Sequence, residues 1–99
     1  MRLGVFYSHL RLGLNILDRL RADKLGIILV GNGVYHGCIK ENGKKSPLLE
    51  KENVNFYALI EDFETRGITA DKLDSKVKPV SYSDLVDLIF NDYEKIVWI

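Results

Sequence analysis

Val77-Lys-Pro-Val-Ser-Tyr-Ser-Asp-Leu-Val-Asp-Leu-Ile-Phe-Asn-Asp-Tyr-Glu-Lys-Ile-Val-Trp-Ile99 reads as a strand, a capped helix and a second strand in immediate succession. In the run Val77 to Val80, Pro79 offers no N–H to a ladder, so this strand is expected to be short and edge-like. Ser81 followed three residues later by Asp84 is the pattern of a reciprocal helix cap. Tyr82, Leu85, Val86, Ile89, Phe90 and Tyr93 then recur at helical spacing and predict one apolar helix face. Ile96 to Ile99 resumes a strand, and if it is buried, Trp98→Ala should cost about 3 to 5 kcal/mol. A strand that reaches the next through a helix makes a parallel pair, the building unit of an α/β sheet.

The same alternation runs back through the chain. Val54 to Ile60 is rich in β-branched and aromatic residues and predicts a third strand. Glu61 to Arg66 follows as a short helix that Gly67 stops, and Thr69 to Leu73 as a brief turn. Leu3 to Tyr7 and Ile27 to Val30 are continuous apolar runs, as expected of strands covered on both faces. Between them, Ser8 is a candidate N-cap for a helix whose core side carries Leu10, Leu14 and Leu17. Gly31-Asn-Gly33 ends the second strand and leads into a short helix from about Val34 to Lys40. Residues 41–53, with Gly43 and Pro47, read as a mobile connection. Five strands joined in this way predict a small flavodoxin-like three-layer α/β sandwich, with a mostly parallel sheet in the order 2-1-3-4-5.

Size and charge narrow the possible roles. A chain of 99 residues, 46% of them apolar, closes a single domain over residues 1–99, and at this size pairing with another subunit is a natural way to bury more surface. Fourteen basic residues balance fourteen acidic ones, which removes the broad attraction that a freestanding nucleic-acid binder uses. Beneath that balance, residues 1–26 carry five basic and two acidic groups, and residues 61–99 carry five basic and nine acidic. A lone Cys38 forbids an internal disulfide and fits a reducing compartment. With no membrane-length apolar run and no signal-like opening, a cytoplasmic location without membrane contact is expected.

In a doubly wound sheet, ligands bind beyond the carboxyl ends of the strands. Those ends offer Ser8, His9, Asn32, Gly33, Glu61 and Asp62 as ligand-binding candidates, although helix capping would use the same residue types. Gly31-Asn-Gly-Val-Tyr-His-Gly37 has GxGxxxG spacing, follows the second strand, and lacks an acidic residue at the next strand end. It is therefore a tight turn rather than a dinucleotide cradle. Ser8 and His9 are adjacent in an extended segment and point to opposite faces, so they cannot share a proton with Asp62 as a triad would. His9 and His36 lack metal-ligand spacing, so neither a metal nor a cofactor is implied. Cys38 is the sole thiol, placed inside a short helix rather than at its start, where a thiolate would be favoured. Tyr35 and Trp98 fall outside the clearest helical stripe and are the interface candidates.

The stretch Tyr57-Ala-Leu-Ile-Glu-Asp-Phe-Glu-Thr-Arg-Gly67, together with Val80 to Phe90 and the terminal Ile96-Val-Trp-Ile99, resembles the signature of the TusB/DsrH family. The resemblance implies a small α/β subunit that assembles with two homologues, TusC/TusD- or DsrE/DsrF-like, and passes persulfide sulfur onward. One branch of that chemistry leads to 2-thiouridine at the tRNA wobble base and another to sulfur oxidation. In the catalytic partner subunits the sulfur-bearing cysteine lies just after the third strand, and the matching position here is Leu59. The resemblance therefore implies a non-catalytic role, with Cys38 as a minor candidate carrier. The alternative from the residues alone is a freestanding homo-oligomeric protein, such as a homodimer, that holds a small ligand at the carboxyl-end crevice.

Overall fold

The computed structural model describes residues 2–8, 24–38 and 54–98. The expected first helix, His9 and the connection at residues 41–53 lie outside the described residues. Five strands form one all-parallel sheet: β1 (Arg2–Tyr7), β2 (Lys24–Leu29), β3 (Val54–Leu59), β4 (Val77–Val80) and β5 (Lys95–Trp98). Two α-helices are described, α1 (Ile60–Thr65) and α2 (Tyr82–Asp92). Gly31–Gly37 and Ala70–Lys72 are 3₁₀ turns. The first of these begins three residues before the helix expected from Val34, because β2 stops at Leu29 and the Val30 carbonyl that follows accepts the Gly33 N–H at 2.9 Å.

The strand order is β4-β3-β2-β1-β5, which corrects the expected 2-1-3-4-5 while keeping the fold class. The reason lies in β2. Ile27, Ile28 and Leu29 are all fully buried, so this strand has no face to give to water and cannot serve as a sheet edge. The edges fall instead to the two four-residue strands, β4 with Lys78 and Pro79 exposed and β5 beginning at exposed Lys95.

The step from β3 to β4 through α1 runs one way across the sheet and the return from β4 to β5 through α2 runs the other, so right-handed crossovers put α1 and α2 on opposite faces. The packing agrees. Phe63 of α1, Val34 and Leu73 join Val5, Tyr7, Ile27, Leu29, Phe56 and Ala58 in one core. Leu85 of α2 and Tyr93 join Ile28, Val30, Tyr57, Leu59 and Val80 in the second.

Both helix boundaries follow from local chemistry. Ser81 Oγ accepts the Asp84 N–H at 3.2 Å, and the Asp84 carboxylate accepts the Ser81 N–H at 3.4 Å, the reciprocal cap expected from sequence. Helix α1 ends in a Schellman motif: Gly67 N–H reaches Glu64 O at 3.0 Å and Ile68 N–H reaches Phe63 O at 2.9 Å. Gly67 adopts φ 71°, which a side chain would resist.

Helix α2 crosses its face diagonally. It starts beside the carboxyl end of β3 and delivers Tyr93 onto Gly4 and Gly26, which are register partners near the amino ends of β1 and β2. Among the described residues one helix lies over this face, and it buries only a narrow arc. Leu85 is buried and Leu88 and Ile89 half-buried, whereas Tyr82, Val86 and Phe90 stand exposed. The broad apolar stripe read from sequence is thus split between core and surface. Trp98 is likewise 66% exposed and stacks on Phe6 with ring centroids 5.0 Å apart. The last strand forms, but its tryptophan is not core, so the cost of Trp98→Ala falls to about 1 kcal/mol.

Tyr93 fixes the helix to the sheet. Its hydroxyl lies 3.4 Å from that of Tyr57, and Lys24 Nζ sits 5.3 Å from its ring centroid. Burial first, and then the hydrogen bond with Tyr57, push the phenol well above its ordinary range. The folded state therefore favours the neutral phenol. That contribution is complete below the unfolded phenol value of about 10 and is lost as pH rises beyond it. Urea midpoints measured across this alkaline window should fall more steeply for the wild type than for Tyr93→Phe; equal slopes would contradict the buried placement.

Candidate functional site at the carboxyl ends of the strands

The connection after β3 turns to one face and the connection after β4 to the other, so the crevice of this sheet opens between those two strand ends. Glu61, in the first turn of α1, spans it. One carboxylate oxygen accepts the Tyr82 N–H at 3.4 Å, and the other is buried with no hydrogen-bond partner. Thr65 Oγ1 donates to the Glu61 carbonyl at 2.7 Å, which holds this turn of the helix in place.

Next to it, three side chains tie the turn after β2 to α1. Asp62 Oδ2 accepts the Gly31 N–H at 2.7 Å, Arg66 Nε donates to Asn32 Oδ1 at 3.2 Å, and an Arg66 terminal nitrogen donates to the Asp62 carbonyl at 2.9 Å. Gly33 passes so close to β1 that a Cβ there would overlap the Tyr7 carbonyl oxygen. Ser8 follows β1 and is half-buried. The fold thus gathers Ser8, Asn32, Gly33, Glu61 and Asp62 along one end of the sheet. Asn32 and Asp62 are engaged in holding the turn, which leaves Glu61 as the candidate with an uncommitted oxygen.

Arg66 was not among the sequence candidates. Its spacing from Asp62, i and i+4 on one short helix, was the available signal. A further concavity also escaped sequence reasoning. It is a cleft of about 300 Å³ on the α2 face, bounded by Tyr57, Lys78, Val80, Asp84, Asp87 and Leu88. Among the described residues, no three His, Cys, Asp or Glu side chains are grouped so as to hold a metal ion.

Cys38 lies just past the 3₁₀ segment, not inside a helix as expected, and its backbone bridges to Leu73. The thiol is half-buried and donates to the Val34 carbonyl at 3.6 Å. Burial raises its pKa, against a smaller opposing pull from the Lys72 ammonium, so the thiol form dominates at neutral pH. Tyr35 and Trp98 are both exposed, but Tyr35 sits in the turn packed on the first core whereas Trp98 stacks on Phe6, which packs against the second, so they do not make one surface. No described helix is long and apolar enough to cross a membrane.

These features define a small all-parallel α/β protein with a polar strand-end crevice and a protonated, half-buried thiol at Cys38. Residues 10–95 match the DsrH-like protein family, and the chain belongs to it. No curated protein sequence matches. Among solved structures, the protein of unknown function MTH1491 from Methanobacterium thermoautotrophicum is similar over 99% of this chain and 98% of its own, with a TM-score of 0.71. At 15% identity, that likeness establishes the fold alone.

Proposed function

We propose that this chain is a non-catalytic subunit of a cytoplasmic sulfur-relay complex, the TusB/DsrH-like component, serving 2-thiolation of the tRNA wobble uridine. The family match over residues 10–95 carries the reading. The chemistry at the end of β3 supports it. Leu59, which the resemblance matches to that place, is the last residue of β3 and is buried at 2% exposure, and Ile60 follows it, so neither offers the thiol that the resemblance gives the catalytic subunits. The chain's role is then to complete the assembly and shape the cavity around a partner's cysteine, in company with TusC/TusD- or DsrE/DsrF-like subunits.

Affinity purification from native cells tests this directly. Homologous subunits bearing a cysteine after the third strand should co-purify, and deletion of the gene should lower wobble 2-thiouridine. Recovery of the chain without such subunits and an unchanged tRNA would refute the proposal. A separate expectation concerns Cys38. Incubated with a persulfide donor and weighed intact, the protein should gain no sulfur, because the thiol is half-buried and protonated at neutral pH. An adduct that disappears in Cys38→Ser would make the chain a carrier.

A further inference from the structure

We propose that the outer flank of α2, with Phe6 and Trp98 beside it, is the surface through which two copies of this chain associate. Tyr82, Val86 and Phe90 are exposed at i, i+4 and i+8 on one side of the helix. The opposite side carries Asp84 and Asp87 and looks onto Tyr57, Lys78 and Val80 of β3 and β4. The apolar flank therefore turns toward β1 and β5. Because the helix descends to the amino ends of the central strands, the carboxyl ends of β1 and β5 emerge beyond it. Phe6 and Trp98 stand there as a stacked pair.

Area and charge select the occupant. Phe90 is 81% exposed, Trp98 66% and Tyr82 57%. At roughly 200 Å² for each aromatic side chain, these three leave about 400 Å² of apolar surface in water. That is the size of the largest patch a monomer ordinarily shows, and about half of the ~800 Å² that each partner of a stable complex buries. Interfaces of ordinary size are a little more than half apolar, so this patch supplies the core of one, with the remainder coming from its rim. None of Phe6, Tyr82, Val86, Phe90 and Trp98 carries a charge. Such a surface offers nothing by which a charged partner would be selected, and it meets its own copy across a two-fold axis without like-charge repulsion. The inference stands independently of the sulfur-relay reading.

Sedimentation equilibrium of the purified full chain is the test. The wild type should weigh as a dimer at micromolar concentration. Phe90→Glu and Trp98→Glu should each weaken the dimer at least tenfold, while Lys78→Glu on β4, across the cleft from the patch, should leave it intact. Far-UV circular dichroism should remain native in all three, since every altered side chain is exposed; Val86→Arg serves as a second probe where either aromatic variant misfolds. A wild type that stays monomeric overturns the proposal, as does a dimer indifferent to all the patch substitutions. So does a patch that is shielded only when a different subunit is present. The relay reading would survive each of these results, because co-purification and tRNA thiolation are read separately.

Discussion

Phe63→Ala should cost about 3 to 5 kcal/mol, the largest loss expected of any single truncation in α1. The helix has six residues, too few to persist by its own hydrogen bonds, and Phe63 is the only one of them that is buried. Its ring, 2% exposed, is the contact through which the helix joins Val5, Tyr7, Ile27 and Phe56 in the first core. A protein of this size commonly has 5 to 15 kcal/mol in all, so the loss is a large fraction of the total. The effect should also reach the strand-end crevice, because Glu61 and Asp62 ride on the same helix and are positioned only while it is docked. Urea denaturation followed by circular dichroism measures the cost. Phe90→Ala is the matched comparison, the same truncation at an exposed site, and should change the monomer's stability by less than about 0.5 kcal/mol. A Phe63→Ala midpoint close to that of Phe90→Ala would mean that α1 is not anchored as described.

The contrast between these phenylalanines marks where sequence reasoning succeeds and where it stops. Helix α2 was legible because its signals are local: Ser81 and Asp84 three residues apart, then apolar residues at helical spacing. Periodicity gives the direction of an apolar face but not its width. How much is buried depends on what the helix lies against, and one diagonal helix on a sheet covers Leu85 while leaving Phe90 in water. Strand positions were legible for the same local reason, and strand order was not. Yet the unbroken run Ile27 to Val30, set against Lys78 and Pro79 in β4, already distinguished an interior strand from an edge. Weighing burial demand strand by strand would have favoured the observed order. At the crevice, the strand-end rule brought Asn32, Gly33, Glu61 and Asp62 into view. The bond from Gly31 N–H to Asp62 joins residues 31 positions apart, and no spacing rule could have revealed it.

Gly33→Ala should lower stability by about 3 kcal/mol, even though it adds one methyl group to a turn. Small-to-large changes usually cost 1 to 3 kcal/mol because side chains can shift to admit the new atom. Here that relief is missing. The atoms that a Cβ would strike are the Tyr7 carbonyl group and the Ser8 Cα, all backbone at the end of a central strand. The Tyr7 carbonyl is already committed, accepting the Val30 N–H at 3.1 Å, and the Gly33 N–H is bonded to Val30 O. Moving the turn outward would break both bonds and drag Asn32 and Gly31 from Arg66 and Asp62, coupling the loss to the crevice. Two comparisons isolate the cause. At Gly26 an added methyl meets the hydroxyl end of Tyr93, a side chain, so some rearrangement is open to it. At Gly67 nothing lies within 4 Å, and the cost is only the strain of a positive φ, about 1 kcal/mol. Unfolding midpoints should therefore place Gly33→Ala well below Gly67→Ala. Equal midpoints would show that the turn after β2 stands further from β1 than the fold requires, and the crevice would then lack its floor.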